Sequence, residues 1–426
     1  MLLVAAVFFG LLVLGMPVGF VLGIAGLVGI WDMGGGRFFM MVPDRFFAGL
    51  DLFPFLAMPF FILAGEIMNK TGITDSLVRL ASALVGWLRG GMAHSNMVAS
   101  VLFAGITGSA TADAAAFGNT LVPAMVRGGY SKPYACAVTA AGSIIGPTIP
   151  PSTLAVIYGS IMGVSIAGLF AAGLVPGLLI CGVCMLVIAL SAKRKNLPGG
   201  TGRPSLGFIF KMLRESIAAV VLPVFILGSI LGGIATPTEA AAIAVAYALF
   251  VGGVIYRALT WQALYEMLAR TARLTGVIFL IIASASILTW WMAFNQIPQM
   301  IAEGVLSISE EPTVVIAMII GLLLVIGLFM DINATLIILA PVLAPLTLQI
   351  GMNPVHAGIV IILALNISLM TPPVGACLFV LASVTRERIE AIAKELWPFI
   401  IAEALVLIVI AYWEGLALAL PRFFGL

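Results

Sequence analysis

The chain has 426 residues, 62% of them apolar and 9% charged, with a net charge of +2, whereas a soluble domain carries about 25% charged residues. A surface so poor in charge cannot face water, and the near-neutral balance leaves no basic patch for nucleic acid. The apolar length is enough for about ten to twelve crossings at about 20 residues each, in runs such as 175–190 and 400–412 that lack the alternation of a transmembrane barrel.

Residues 1–90 open without the basic stretch of a cleavable signal peptide. They read as retained scaffold helices, divided into two short spans at Pro17, followed by an in-plane arm over 76–88. Residues 91–170 read as a transport-domain hairpin and broken helix. The hairpin turns within Gly105-Ile-Thr-Gly-Ser-Ala-Thr-Ala-Asp113, and the helix breaks at Gly146-Pro-Thr-Ile-Pro150-Pro151-Ser152. Residues 171–192 form the last span of the first repeat. Residues 193–205, beginning Lys193-Arg194-Lys195, are the one long polar interruption, and their positive charge predicts a cytoplasmic linker.

The second half repeats the order. Residues 206–296 read as scaffold helices with an arm over 261–273. Residues 297–385 hold a hairpin turning within Gly327-Leu-Phe-Met-Asp331-Ile-Asn-Ala-Thr335 and a break in Asn366-Ile-Ser-Leu-Met-Thr371-Pro372-Pro373-Val374-Gly375. Residues 386–426 supply an arm over 387–396 and a last span.

Pro17 corresponds to Pro237, 220 positions later, and Ile149-Pro150-Pro151 to Thr371-Pro372-Pro373, 222 later. Asp113 and Pro123 match Asp331 and Pro341, both at 218. Flanking charge sets the direction of each hairpin. Lys70, Arg79, Arg89, Arg127 and Lys132 surround the first, whereas Glu303, Glu310 and Glu311 precede the second and no basic residue follows it closely. The first therefore enters from the cytoplasm and the second from outside. With Arg386, Arg388 and Lys394 back inside, both termini fall outside. The expected fold is an all-α polytopic membrane protein: an inverted repeat with two re-entrant helical hairpins and two broken helices, which in secondary transporters place their sites at the interruptions.

Non-helical backbone at membrane depth must be buried in protein or line a watery cavity. The double prolines cannot donate hydrogen bonds, which frees upstream carbonyls to act as hard-cation ligands. Two cation sites follow, one drawn from Thr107, Gly108, Gly146, Ile149 and Pro150, the other from Gly327, Asp331, Ser368, Thr371 and Val374. The N-termini of half-helices suit an anionic substrate. Ser109, Thr111, Asp113, Ser152, Asn333 and Asn366 are the substrate-side candidates. For Asp113 and Asp331 two roles stand open, contact with ion or substrate and capping of the return helices.

Other polar residues read as structural. Glu66 lies at a span end, Glu239 caps a first turn, His94 and His356 sit near hairpin bases, and Trp290 and Trp291 suit an interfacial anchor. Cys136, Cys181, Cys184 and Cys377 all fall in apolar segments, so the Cys181-Gly-Val-Cys184 spacing reads as packing rather than redox chemistry. No phosphate loop or metalloprotease helix is present.

Gly108-Ser-Ala-Thr-Ala-Asp113, Ile149-Pro-Pro-Ser-Thr-Leu-Ala-Val-Ile-Tyr158-Gly159, Phe329-Met-Asp331 leading to Ala340-Pro341, and Thr371-Pro-Pro-Val-Gly375 together resemble the large membrane subunit of the tripartite ATP-independent periplasmic (TRAP) transporters. The resemblance covers essentially the whole chain. It implies a sodium-coupled elevator in the bacterial inner membrane carrying an organic anion such as sialate or a C4-dicarboxylate, with sodium at about two sites and no organic cofactor. It also implies two partners, a small four-helix membrane subunit and a periplasmic substrate-binding protein. Ala376-Cys377 departs from the family pattern and bears on pocket shape. The competing readings are a stand-alone sodium/carboxylate symporter of related fold, a passive channel and an intramembrane enzyme.

Overall fold

The computed structural model describes residues 1–34, 36–200 and 202–426, with the side chains of Ile73 and Thr74 left aside; Thr201 of the expected linker lies outside the described residues. Among the described residues every regular element is helical. Helices α1 (Leu2–Val13) and α2 (Val18–Asp32) part at Pro17, as the sequence predicts. Short helices α3 (Gly36–Phe39) and α4 (Met41–Ala48) lead to α5 (Ala57–Lys70) and to α6 (Ile73–Val85). The first hairpin is α7 (Gly91–Thr107) and α8 (Ala110–Arg127). The first broken helix is α9 (Lys132–Ser143) and α10 (Thr153–Met162), followed by the long span α11 (Ile166–Arg194).

The second half runs through α12 (Leu206–Leu231), α13 (Pro237–Phe250), α14 (Trp261–Phe294) and α15 (Ile297–Leu306). Its hairpin is α16 (Pro312–Gly327) and α17 (Ile332–Gln349), and its broken helix is α18 (Pro354–Ser368) and α19 (Ala376–Thr385). Helices α20 (Ile389–Tyr412) and α21 (Glu414–Phe424) complete the chain. Among the described residues six helices are long and apolar enough to span a membrane, or seven if the pair bent by 52° between Gly36–Ala48 and Phe53–Lys70 counts as one. Apolar length alone suggests more crossings because part of it lies in shorter helices of 10–17 residues; α17, an arm of the second hairpin, is itself one of the six.

The repeat register differs from the one read in sequence. The return helices α8 and α17 both hold 18 residues and start at Ala110 and Ile332, 222 apart. The double prolines keep that spacing, each with a cis peptide bond, at Pro150-Pro151 and Pro372-Pro373. The displacement of 218 that matched Asp113 with Asp331 is therefore one helical turn short. In place, Asp331 corresponds to Ser109, both at N-caps, Asp113 to Thr335, and Pro123 to Pro345. The slip arises because the paired aspartates sit one turn apart in their helices: Asp331 is the N-cap of α17, whereas Asp113 lies four residues after the N-cap of α8.

The two later arms are not separate helices: residues 261–273 open α14, and 389–396 open α20, which continues through Pro398. The short helix preceding the second hairpin is α15, inside the 297–385 region assigned to transport.

Two packed groups result. In one, α2 lies along α14 and α5 along α13. Gly19, Gly23, Gly26 and Gly29 of α2 meet Leu280, Ser284, Ile287 and Trp291 of α14, small residues letting the backbones approach. Trp291 is 4% exposed against Gly29 and is a core residue, not an interfacial anchor. In the other group α8 packs on α19 and α17 on α10, so each hairpin grips the broken helix of the opposite half. Residues 134–143 of α9 and 356–368 of α18 are wholly buried there.

Candidate functional site between two hairpin tips and two broken helices

Helix α7 ends at Thr107, and Gly108 turns the chain at φ +57, the left-handed region that favours glycine. A Cβ on Gly108 would run into the Pro151 carbonyl oxygen, so the tip rests directly on the first break. Thr153 Oγ1 donates to the Gly108 carbonyl at 3.3 Å and pins the same contact. Ser109 occupies the N-cap of α8 without a capping bond; its hydroxyl lies 3.3 Å from that of Thr111. The first amides of α8 are thus left for another acceptor.

The two aspartates do different work. Asp331 caps α17, its Oδ1 accepting from the amides of Asn333 at 3.0 Å and Ala334 at 3.2 Å while the residue stays exposed. Asp113 caps nothing. It is 0% exposed, its Oδ1 accepts from Thr107 Oγ1 across the tip, and its Oδ2 has no partner among the described residues. A Cβ on Gly146 would strike that Oδ2, so the free oxygen lies against the first break, close to the Ser143 carbonyl. A buried carboxylate oxygen without a partner is a donor that a hard cation takes; the nearby Ser143 carbonyl already accepts from the Gly146 amide at 3.2 Å. Removing the cap with Asp331→Ala is expected to lower the melting temperature by about 2–4 °C. An unchanged melting curve in a thermal-shift assay would mean that solvent replaces the cap at no cost.

The second break is closed in a similar manner. A Cβ on Gly327 would strike Ser368 Oγ, which donates to the Leu365 carbonyl at 2.6 Å. Thr371 Oγ1 donates to the Ile367 carbonyl at 2.8 Å, and Val374 is 40% exposed. Asn366 crosses between the breaks, donating from Nδ2 to Thr148 Oγ1 at 3.0 Å, with its Oδ1 unpartnered among the described residues. Ile149 is buried, and Ser152 Oγ donates to the Pro147 carbonyl at 2.5 Å while accepting from the Ala155 amide.

Both tips and both breaks meet at a cavity of about 70 Å³ bordered by Ser109, Thr111, Asp331, Asn333, Thr153 and Ala376. It adjoins a cavity of about 700 Å³ shared by Thr107, Ser109, Thr111, Asp331 and Asn333 with Glu66 and Asn69 of α5 and the 274–281 stretch of α14. Of the substrate-side candidates, Ser109, Thr111 and Asn333 line both spaces. Asp113, Ser152 and Asn366 stand behind them.

Glu66 sits where a structural reading alone would miss its place: it lines the large cavity and pairs with Arg270 Nε at 3.2 Å. Two of the structural readings are met by specific bonds. Glu239 completes a capping box with Thr236, and His356 Nε2 lies 2.8 Å from the Ile410 carbonyl. The four cysteines are buried and unbridged. Cys184 donates to Glu403 Oε1 at 3.2 Å, and Glu403 is 0% exposed. Its signal, a lone acid inside the apolar run 399–412, was available in the sequence. Thr148 and Thr153 carried no such signal, because only the fold brings them to Asn366 and Gly108.

Residues 5–416 match the family model described as "Tripartite ATP-independent periplasmic transporter, DctM component". The chain is 38% identical over 421 residues to the sialic acid TRAP transporter large permease protein SiaM of Vibrio cholerae serotype O1, covering 97% of each. It is 35% identical over 382 residues to the C4-dicarboxylate TRAP transporter large permease protein DctM of Pseudomonas aeruginosa, covering 90% of this chain and 89% of that protein. Among solved structures, the Alcanivorax borkumensis YdaH transporter superposes with a TM-score of 0.64 over 88% of both chains at 17% identity, a likeness of fold. The relatives are transporter permeases rather than enzymes, and the sequence match runs through both hairpins and both breaks. The chain therefore belongs to the DctM-component family of tripartite ATP-independent periplasmic transporters, as a multi-pass membrane transporter subunit.

Proposed function

We propose that this chain imports an organic anion across the bacterial inner membrane by sodium-coupled elevator motion, receiving the anion from a periplasmic binding protein. A small four-helix membrane subunit would enlarge its scaffold. The observation that carries this reading is the meeting of both tips and both breaks beside a cavity of about 700 Å³, a size within the about 300–1,000 Å³ usual for small-molecule sites. The cavity lies between the two packed groups, where a sliding transport body would expose it to either side in turn. The anion would face the uncapped N-terminus of α8 at Ser109 and Thr111, where the helix dipole is positive. Asn333 would contribute from the second tip, whose amides Asp331 already occupies.

Two sodium sites would lie behind the cavity. Asp113 Oδ2 and the carbonyls around Gly146, Ile149 and Pro150 serve the first. Ser368, Thr371 and carbonyls near Gly327 and Val374 serve the second, with Asp331 acting as a cap. Lys70, Arg270 and Arg273 gather at one end of α5 and α14, and the positive-inside rule would set that end, and the linker, in the cytoplasm. Both termini would then be periplasmic.

Relatives named for sialic acid, C4-dicarboxylate, isethionate and 2,3-diketo-L-gulonate define a test panel of four anions, with succinate as the dicarboxylate. Vesicles holding the chain with its small subunit are expected to take up one of the four only with a sodium gradient and a loaded binding protein. Robust uptake by the chain alone would establish the stand-alone symporter, and rapid uptake without ion coupling would establish a channel. Gly146→Ala, whose Cβ would strike Asp113 Oδ2, and Thr371→Ala, which removes a hydroxyl ligand, are each expected to raise the sodium concentration for half-maximal uptake about tenfold. Unchanged sodium titrations in both variants would remove the carbonyl sites.

A further inference from the structure

On the face where the two packed groups meet lies a second cavity, of about 320 Å³, between α4 and α14 on one side and Ile161 of α10 and Ile337 of α17 on the other. Its walls are apolar apart from Arg45, Ser286 and Thr289. Ser286 is already engaged, donating to the carbonyls of Arg45 and Ala283. The Arg45 guanidinium stands 5.8 Å over the Trp290 ring, its Nε is buried without a hydrogen-bond partner, and it forms no ion pair among the described residues. By contrast, the arginine that reaches toward the large cavity, Arg270, is neutralised by Glu66.

An unpartnered donor in an apolar cavity is costly to keep. A guanidinium fixed by an aromatic face presents a planar fork that matches a carboxylate or sulfonate. Position supplies the second argument. The large cavity touches α14 at residues 274–281 and the Arg45 cavity touches it at 282–293, so their centres lie about 15 Å apart along the helix. Ile337 is one turn from Asn333 on the same face of α17. A cargo held at the tips would come opposite Arg45 when the tips stand further along α14.

We propose that Arg45, held against Trp290, is a second anion-binding station on the scaffold, which takes the acidic group of the cargo at the end of the interface away from Arg270. This rests on the import reading above. It assigns the scaffold a direct part in recognition, beside the hairpin tips.

The test uses the chain with its small subunit and loaded binding protein in vesicles, fed whichever of the four panel anions the wild type moves. Arg45→Ala is expected to lower uptake at subsaturating loaded binding protein about tenfold, with the saturated rate and the sodium titration within about twofold of wild type. Arg45→Lys, which keeps the charge but not the fork, is expected to recover to within about threefold. Uptake by Arg45→Ala equal to wild type overturns the proposal and leaves the import reading standing. A defect seen only in vesicles containing phosphatidylglycerol, and absent in pure phosphatidylcholine, assigns the guanidinium to a lipid phosphate and also overturns it. A wild type that moves none of the four anions sinks both readings.

Discussion

Asp113→Asn is expected to reduce sodium-driven uptake by at least about a hundredfold while the protein inserts and folds. The replacement keeps the shape of a fully buried side chain and the bond from Thr107 to its Oδ1 position. It removes the charge of the carboxylate whose Oδ2 faces Gly146 without a partner. In a low-dielectric site a carboxylate without a cation costs several kcal/mol, and a cation without a carboxylate loses its strongest ligand. A hundredfold loss corresponds to about 2.7 kcal/mol, within the range for one buried charge pair. Sodium titrations of uptake, with radioactive sodium binding to the purified chain, check the expectation. Wild-type sodium dependence in Asp113→Asn would show that the orphaned oxygen has no cation to bind, and the first site would have to be sought elsewhere.

Gly108→Val is expected to be the most damaging single change at the tips, lowering uptake by about a hundredfold or more. Gly108 sits at φ +57, where a β-branched side chain is strained by about 1–2 kcal/mol. Its new Cβ would also collide with the Pro151 carbonyl oxygen, a backbone atom that cannot rotate away. The tip must then lift from the first break, and the Thr153 to Gly108 bond is lost with it. The effect is expected on transport rather than insertion, because the apolar length of α7 and α8 is unaltered. Uptake together with surface labelling of inserted protein measures both. Wild-type uptake from Gly108→Val would mean that the tip need not rest on Pro151 during the cycle.

The paired architecture hides a functional asymmetry between the halves. At the first tip the cap position holds Ser109, which makes no capping bond, and the acid lies one turn into the helix, buried. At the second tip the acid itself is the cap. One tip thus offers free amides beside an uncompensated carboxylate, the other a self-satisfied helix start. The free amides fit an anion at the first tip once a cation offsets the Asp113 carboxylate.

Much of the fold was legible in the sequence because membrane burial forces it. Apolar runs must be helices, double prolines must break them, and the matched order of turn, break and span survives in 105–152 and 327–375. The split at Pro17 and the capping box at Thr236 and Glu239 follow from local chemistry alone. The register did not, because residues four apart share a helix face, so a match at 218 looks as good as the true 222 until the start of each return helix is known.

Sequence by itself determined that this is a helical membrane transporter subunit with two tips and two breaks, since hydropathy and backbone chemistry act over neighbouring residues. Only the tertiary structure decided which aspartate is a cap and which is buried with a free oxygen. It also decided that Asn366 reaches Thr148 across 218 positions and that Arg45 stands over Trp290 with no ion pair among the described residues. These are matters of distance between segments far apart in the chain, set by how helices of the two halves pack on one another.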